Sequence, residues 1–237
     1  MLSVAGRVVM ISGANRGIGR AIAERLMRDG YTLSLGARDP ETLAVLNGVQ
    51  DDKVLHHEFD ARAPDAATRW VDATRERFGR IDALVNNAGV VHPFDVEAQD
   101  ETPLDEMWEV NVKGPLRLVR AAYTELQRCG SGRVINIVSL SGKRVKSAAI
   151  GGYAMSKHAA AAFNHALRHA GWEHGIRATS ICPGFVATDM TAKVTSVPPE
   201  EMIQPEAVAH MVSSLLVMPN SASVSELPIN CVLEPLH

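Results

Sequence analysis

Short apolar runs alternate with segments of helical periodicity along the whole of this 237-residue chain. Such alternation is typical of βαβ units, in which parallel strands form one sheet and the connecting helices cover both of its faces. No repeat, linker or low-complexity stretch interrupts the pattern. The sequence therefore predicts an α/β fold and a single domain over residues 1–237.

The apolar runs are predicted as seven strands and the periodic segments as helices. The strands are expected at Arg7–Ser12, Thr32–Ala37, Val54–Phe59, Ala83–Asn86, Arg133–Val138, Arg177–Cys182 and Pro228–Leu233. The helices are expected at Gly17–Asp29, Glu41–Gly48, Ala63–Phe78, Leu104–Arg128, Tyr153–His174 and Pro205–Val217. Open parallel sheets bind ligands beyond the carboxyl ends of their strands. We therefore expect the functional residues at that edge.

Charge and cysteine content exclude several kinds of partner. The net charge of -3 gives no electrostatic footprint for nucleic acid or for an anionic membrane surface. Cys129, Cys182 and Cys231 have no paired spacing, which argues against disulfides and zinc and favours a reducing, cytoplasmic compartment. No signal peptide pattern and no apolar span of about 18 residues is present. The expected partner is a small molecule.

A glycine-rich turn follows the first predicted strand and leads directly into a helix. Its sequence is Ser12-Gly13-Ala14-Asn15-Arg16-Gly17-Ile18-Gly19. Gly13 permits a sharp turn, Gly17 lets the backbone approach a pyrophosphate, and Gly19 allows the helix to pack closely on the strand. The N–H groups of the helix N-terminus would bind the anion. The spacing differs from the G-x-G-x-x-G dinucleotide pattern, so a purely structural turn is an alternative.

The end of the second strand is expected to select the cofactor. An acidic residue there would hold the ribose 2′-hydroxyl of NAD, but Ala37 occupies the position. Arg38 follows, and together with Arg16 it could clamp a 2′-phosphate through charge-assisted hydrogen bonds. The sequence therefore predicts NADP(H). In the alternative, both arginines are solvated and Asp39 holds the ribose.

Further motifs follow the glycine turn in a fixed order. They are Asp60, Asn86-Asn87-Ala88-Gly89, Asn111-Val112-Lys113-Gly114, Ser139, Tyr153-Ala154-Met155-Ser156-Lys157 and Pro183-Gly184-Phe185-Val186-Ala187-Thr188. In this order they resemble the short-chain dehydrogenase/reductase family over nearly the whole chain. The resemblance implies a Rossmann-type doubly wound fold, an oxidoreductase acting on CH–OH groups with NAD(P), and a homodimer or homotetramer.

The resemblance also implies a set of cofactor contacts. Asp60 would meet the adenine, Asn87 to Gly89 would line its ribose, and Pro183 to Thr188 would hold the nicotinamide carboxamide. Asp60 could equally cap the next helix, and the asparagine run could be a plain turn. The expected cofactor-binding residues are Ser12, Gly13, Asn15, Arg16, Gly17, Ile18, Gly19, Arg38, Asp60, Ala61, Asn87, Ala88, Gly89, Tyr153, Lys157, Pro183, Gly184, Val186 and Thr188.

Tyr153 and Lys157 are predicted to lie one turn apart on one face of a helix. A nearby ammonium favours the phenolate and lowers the tyrosine pKa toward neutrality, which suits a general acid/base, although a surface pair could have the same spacing. Ser139 is expected to polarise the substrate oxygen, with Ser141 as a competitor. By resemblance, Asn111 would kink its helix and hold a water that links Lys157 to solvent. The expected catalytic set is Asn111, Ser139, Tyr153 and Lys157, and it does not include Ser141.

The substrate pocket is expected to include Ser141 to Gly152, the residues after Gly89, and Met190–Glu201. Ser139 lies 14 residues before Tyr153, one more than is typical of the family, so an unusual loop is expected over the substrate. Apolar residues in these segments, Val90, Phe94, Phe185 and Met190, favour an apolar pocket, although they could also belong to the core.

Two kinds of function fit these residues. The first is an NADP(H)-dependent carbonyl reductase or alcohol dehydrogenase. The second is a protein that senses NADP(H) without catalysis, which the fold alone would allow, and an NAD(H)-dependent alcohol dehydrogenase is a further alternative. His165 and His169 have a metal-compatible spacing, but no suitable third ligand follows, so no metal is expected.

Overall fold

Seven parallel strands form one sheet in the computed structural model, which describes residues 1–46, 52–192 and 194–233. The strands are β1 Val8–Ser12, β2 Thr32–Ala37, β3 Val54–Glu58, β4 Ala83–Asn86, β5 Arg133–Ile137, β6 Arg177–Pro183 and β7 Glu226–Ile229. Their order is β3-β2-β1-β4-β5-β6-β7, and every neighbouring pair is parallel. The order reverses between β1 and β4, which confirms the doubly wound Rossmann-type fold.

Among the described residues, six α-helices cover the two faces of the sheet. They are α1 Gly17–Arg28, α2 Ala66–Phe78, α3 Thr102–Trp108, α4 Gly114–Arg128, α5 Gly151–Gly171 and α6 Pro205–Leu216. The core has one cluster beneath α1 and α6 and another beneath α2 and α4. Along β1, Val9 and Ile11 belong to the first cluster, whereas Met10 belongs to the second. Successive side chains of a strand point to opposite faces, so a strand covered on both sides is apolar throughout.

Three predicted elements differ from those observed: the last strand, the second helix and the long fourth helix. The last strand, predicted at Pro228–Leu233, is Glu226–Ile229, because Ser180 to Pro183 pair with that segment and Gly184 N–H donates to the Ile229 carbonyl at its end. The predicted helix Glu41–Gly48 is a 3₁₀ helix over Pro40–Leu46, and Gly48 lies outside the described residues. Other predicted ends are shifted by a few residues.

The long helix predicted at Leu104–Arg128 is interrupted. A π-helical turn, Glu109–Lys113, separates α3 from α4, and the Gly114 N–H donates to the Glu109 carbonyl five residues earlier. Pro115 explains the interruption, because proline has no N–H and its ring clashes with the carbonyl four residues before it, here that of Asn111. Asn111 therefore lies in an interruption of the helix, the feature for which the sequence analysis expected a kink.

Candidate active site

A cleft of about 1130 Å³ opens beyond the carboxyl ends of the strands. Every predicted site residue lines it except Ser12, Gly19 and Asn111. No helix in the described part of the chain has the length and apolar character to cross a bilayer, and the described residues contain no metal-binding cluster of three or more His, Cys, Asp or Glu. The candidate site is therefore this cleft.

Ser12 and Asn87 join the loops that follow β1 and β4. The Ser12 hydroxyl accepts hydrogen bonds from the backbone N–H groups of Asn87 at 3.0 Å and Ala88 at 3.1 Å. In return, the Asn87 amide donates to the carbonyls of Ser12 and Gly13, both at 3.0 Å. These bonds fix the two loops against each other, so Ser12 supports the floor of the cleft without lining it.

Gly19 lies where α1 contacts the loop that precedes it. A Cβ atom at this position would lie 2.1 Å from the Gly13 carbonyl oxygen and 2.5 Å from the Asn87 amide nitrogen. Backbone atoms cannot yield to such a clash as a flexible side chain would, so only glycine fits. The close packing predicted for Gly19 is therefore observed.

The N-terminus of α1 is suited to an anion. Arg16 occupies the N-cap position without a side-chain capping bond, and the first turn contains no acidic residue. The first N–H groups of a helix have no partner within the helix, and its dipole favours negative charge there. Gly13 and Gly17 have φ of +66° and +52°, so the loop lacks Cβ atoms at two left-handed positions. These features fit a dinucleotide pyrophosphate.

Two exposed arginines lie at the β1–β2 end of the cleft. Arg16 forms a 3.5 Å ion pair with Asp189, and Arg38 follows β2 directly. Ala37 is buried beneath them. The Asp39 carboxylate accepts the Glu41 N–H at 3.0 Å and so holds the turn after β2. This engagement of Asp39 favours the arginines over Asp39 as the ligands of the adenosine ribose.

Asp60 is bound by a neighbouring arginine that the sequence analysis did not single out. The Arg62 guanidinium donates to both Asp60 oxygens, the shortest distance being 2.7 Å, and the Arg62 backbone N–H donates to Oδ1 at 3.0 Å. These hydrogen bonds lower the pKa of Asp60. Because α2 begins at Ala66, Asp60 stabilises the turn after β3 and does not cap the helix.

Tyr153 and Ser139 meet inside the cleft. A hydrogen bond from Ser139 lowers the pKa of the tyrosine, but burial outweighs it and raises that pKa to about 12. Desolvation dominates in the cofactor-free structure, where the lysine nitrogen lies 5.7 Å from the centre of the tyrosine ring, and the lowering of the tyrosine pKa by Lys157 stays a prediction. The phenol is therefore protonated near neutral pH.

Lys157 is almost fully buried beneath Tyr153. Its ammonium donates to the Ile137 carbonyl at 3.1 Å, and burial lowers its pKa to about 8. A Cβ atom on Gly89 would lie 3.6 Å from the Lys157 nitrogen and 3.3 Å from the Asn111 amide oxygen. The missing side chain at Gly89 thus leaves room for the lysine next to Asn111.

Asn111 lies just outside the cleft, in the π-helical turn. Its amide donates to the Val90 carbonyl at 2.9 Å and to the Ser156 hydroxyl at 3.0 Å, and its oxygen accepts the Val90 N–H at 2.9 Å. The side chain thereby ties the loop after β4 to α5. In this structure Asn111 positions the loop after β4, and its place in the catalytic set stays a prediction.

Comparison with known families gives one direct match. Residues 7–198 match the family model described as short chain dehydrogenase. The chain belongs to the short-chain dehydrogenase/reductase family. The match covers well over half of the chain, which confirms the resemblance inferred from its motifs.

Similar oxidoreductases include both sequences and solved structures. Agropine synthesis reductase of Rhizobium rhizogenes is 42% identical over 97% of this chain, but the chain spans about half of that relative, 54% of its length. An alcohol dehydrogenase of the archaeon Thermococcus sibiricus, solved with 5-hydroxy-NADP, is 32% identical with a TM-score of 0.86, over 98% of this chain and 99% of that one. A metagenomic short-chain oxidoreductase in complex with NADP is 28% identical with a TM-score of 0.81, over 98% and 99% of the two chains.

Most, but not all, of the apolar residues expected in the substrate pocket line the cleft of this short-chain dehydrogenase/reductase. Val90, Phe185 and Met190 line it, but Phe94 does not. The Phe94 backbone instead pairs with the loop before α5, bonding Ala149 at 2.9 Å and Gly152 at 3.3 Å. Arg62 and Asn230 also line the cleft and were not singled out by the sequence analysis, whereas Arg144 and Lys146 lie in the predicted segment Ser141 to Gly152. Arg144 and Lys146 fall in the loop that was predicted to be unusual.

The segment between Ala187 and Ile203 borders the cleft and is closed at its base. Ala187 N–H donates to the Ile203 carbonyl at 2.9 Å, and Ile203 N–H donates to the Phe185 carbonyl at 3.0 Å. The chain therefore leaves β6, passes the mouth of the cleft at Met190, and returns to its point of departure. Its two ends are fixed by this pairing.

Replacing Gly19 with Ala is expected to abolish detectable NADPH binding and to lower the free energy of unfolding by about 3 kcal/mol or more, because the Cβ would overlap the Gly13 carbonyl. Thermal unfolding and fluorescence titration with NADPH measure both effects. Gly151→Ala is the matched control, since a Cβ there meets its nearest atom at an ordinary 3.5 Å. Equal behaviour of the two variants would contradict the packing role of Gly19.

Proposed function

We propose that this short-chain dehydrogenase/reductase interconverts a carbonyl and an alcohol with NADP(H), and that Tyr153 is its general acid/base. The observation that carries the proposal is the placement of Tyr153. Its hydroxyl is hydrogen-bonded to Ser139 in a cleft whose other end presents an uncapped helix N-terminus and two arginines. A proton donor and an anion site at opposite ends of one cleft suit reduction by a dinucleotide.

Residues along the cleft would hold NADP(H) in a continuous series. The glycine turn from Gly13 to Gly19 suits the pyrophosphate, and Arg16 and Arg38 suit the 2′-phosphate. The remaining contacts are those that the family resemblance implies, namely Asp60 and Ala61 for adenine, Asn87 to Gly89 and Tyr153 with Lys157 for the riboses, and Pro183 to Thr188 for the carboxamide. When bound, the nicotinamide supplies or accepts the hydride.

The side chains around Tyr153 would move and stabilise the proton. With a pKa of about 12 in the cofactor-free structure, the tyrosine carries its proton near neutral pH and can donate it to a carbonyl oxygen as negative charge develops there. The Ser139 hydroxyl would donate a hydrogen bond to the same oxygen. Lys157, charged below its pKa of about 8, favours the phenolate that remains. This arrangement favours reduction near neutral pH.

The named relatives support the cofactor and the class of reaction. Two structures of similar fold were solved with NADP or a derivative of it, and the most similar of the relatives described above is named a reductase. Because the chain spans about half of that reductase, the activity of the whole relative is not carried over. The cytoplasmic location and the homodimer or homotetramer stay predictions.

The direct test is consumption of NADPH by the purified protein across a panel of aldehydes, ketones and dicarbonyls. NADH serves as the control cofactor. We expect at least one carbonyl compound to be reduced, and faster with NADPH than with NADH at equal concentration. Tight NADPH binding without turnover on any compound would instead favour the non-catalytic sensor.

Replacing Arg38 with Asp is expected to weaken NADPH binding by roughly 10- to 150-fold, because a charge-assisted hydrogen bond to the 2′-phosphate contributes about 1.5–3 kcal/mol. NADH has no 2′-phosphate, so its dissociation constant should change far less. Fluorescence titration with both cofactors measures the difference. Arg120→Glu removes an exposed positive charge of α4 outside the cleft and is the control. Equal weakening of both cofactors by Arg38→Asp would refute NADP(H) selection by this residue.

A further inference from the structure

Arg144 and Lys146 bring positive charge to the cleft that Tyr153 and Ser139 also line. Both belong to the loop between the short helix Leu140–Gly142 and α5, and both line the cleft. The Lys146 ammonium lies 4.6 Å from the centre of the Phe185 ring, on the loop after β6. This cation–π contact places the charge beside the loop that follows β6, which also lines the cleft.

These two cations are separated from the arginines proposed for the 2′-phosphate. Arg38 follows β2, whereas Arg144 comes after β5, three strands further along the sheet order. At about 4.8 Å per strand, this separation is about 14 Å. The cleft therefore has one pair of cations at its β1–β2 end and another on the loop that leads into α5, the helix of Tyr153.

The loop that carries Arg144 and Lys146 is held at both ends. The Arg144 N–H donates to the Leu140 carbonyl at 3.1 Å, and Phe94 pairs with the far end of the loop. Lys143, a third cation of this loop, forms an ion pair with Glu226 and does not line the cleft. The fold therefore directs two of these three cations toward the cleft.

We propose that Arg144 and Lys146 bind a carboxylate of the substrate, so that the substrate is an oxo acid whose carbonyl lies between Ser139 and Tyr153. The inference rests on the proposed oxidoreductase function. The planar guanidinium can bind both carboxylate oxygens, and the lysine adds a second positive charge. The reaction balances as oxo acid, NADPH and a proton giving hydroxy acid and NADP⁺, with the hydride on carbon, the Tyr153 proton on oxygen, and the carboxylate unchanged.

The test compares levulinate and its longer oxo-acid homologues with their methyl esters, which lack the distal negative charge and carry one additional methyl group. We expect the wild-type protein to reduce the best acid with a KM at least tenfold below that of its ester. Arg144→Met should raise the KM of the acid by about tenfold or more, leave the KM of the ester within about twofold, and change kcat little, because the carboxylate is bound equally in the ground and transition states.

Two controls separate this site from other roles of the loop. Lys143→Met removes a neighbouring cation that lies outside the cleft, and its KM for the acid should stay within about twofold of the wild-type value. Lys146→Met should raise the KM of the acid by a smaller factor than Arg144→Met. It also serves as a second test of the site if Arg144→Met does not fold. The dissociation constant of NADPH should be unchanged in both cleft variants.

Several outcomes would overturn the carboxylate site. These are equal KM values for acid and ester, an equal rise of both in Arg144→Met, weaker NADPH binding in that variant, or a preference for dihydroxyacetone phosphate over the oxo acids. If no carbonyl compound is reduced, the proposed function fails. Calorimetry on the NADP⁺-loaded protein then tests the carboxylate site separately. The carboxylate site is supported if the wild-type protein binds levulinate but not its ester and if Arg144→Met no longer binds levulinate. The site is overturned if the wild-type protein does not bind levulinate.

Discussion

Replacing Tyr153 with Phe is expected to lower kcat for carbonyl reduction by about 10²- to 10⁴-fold, the usual contribution of a positioned general acid. The substitution removes only the hydroxyl that is hydrogen-bonded to Ser139 and keeps the ring in place. The dissociation constant of NADPH should therefore change by less than about threefold, since one of many cofactor contacts is lost. Steady-state assays and fluorescence titration give the two quantities.

Tyr123→Phe is the matched control for this variant. The Tyr123 hydroxyl donates to the Ala170 carbonyl at 2.8 Å, outside the cleft. Its loss should leave kcat unchanged and lower the free energy of unfolding by about 1 kcal/mol. Undiminished turnover in Tyr153→Phe would remove the basis for the proposed mechanism.

Replacing Lys157 with Met is expected to stabilise the cofactor-free protein near neutral pH by on the order of 3 kcal/mol while abolishing turnover. Burial lowers the lysine pKa from 10.5 to about 8 in the folded state, and each pKa unit corresponds to about 1.4 kcal/mol. Below pH 8 the wild-type protein must keep a buried charge that methionine does not carry. The lost hydrogen bond to the Ile137 carbonyl reduces the gain by about 1 kcal/mol.

The pH dependence of this effect has a defined sign. Between pH 8 and 10.5 the unfolded wild-type chain binds a proton at Lys157 that the folded protein does not, so wild-type stability rises with pH. The advantage of Lys157→Met should therefore shrink across this range and vanish by its upper end. Urea unfolding at several pH values measures it, and Lys113→Met, at a half-exposed surface ion pair, should shift stability by less than about 1 kcal/mol throughout. A destabilised Lys157→Met at neutral pH would contradict the destabilising role of the buried ammonium.

A residue that destabilises the free protein and is buried beneath the proposed proton donor fits a functional role. Proteins commonly retain destabilising groups where activity requires them. Lys157 would have this character if both parts of the prediction hold, with higher stability and lost turnover in the same variant. Higher stability with unchanged turnover would make Lys157 a structural residue instead.

The parallel sheet explains why so much of the candidate site could be predicted from the sequence. Strand ends meet at one edge, so residues as distant in the chain as Gly13, Asn87 and Ser139 are brought together once the strands are recognised. The positions that line the cleft follow from periodicity and local motifs. Predicting these positions did not require knowledge of the contacts or the burial of their side chains.

Other features depend on the three-dimensional environment. The raised pKa of Tyr153 arises from its burial, which no helical spacing reveals. Lys143 and Lys146 are similar in sequence context, yet only the second reaches the cleft, because Glu226 of β7 binds the first. Pro115 was a usable signal for the break after Asn111, since a proline inside a predicted helix interrupts its hydrogen bonding.

The closed base of the segment between Ala187 and Ile203 gives the family a simple route to new substrates. Lengthening a surface loop whose ends are already fixed costs little, about 0.6 kcal/mol for each doubling of its length. Insertions and deletions between these two residues could therefore be tolerated in evolution without moving the strand ends or α5. Selectivity could diversify at the mouth of the cleft while the chemistry beneath it is inherited unchanged.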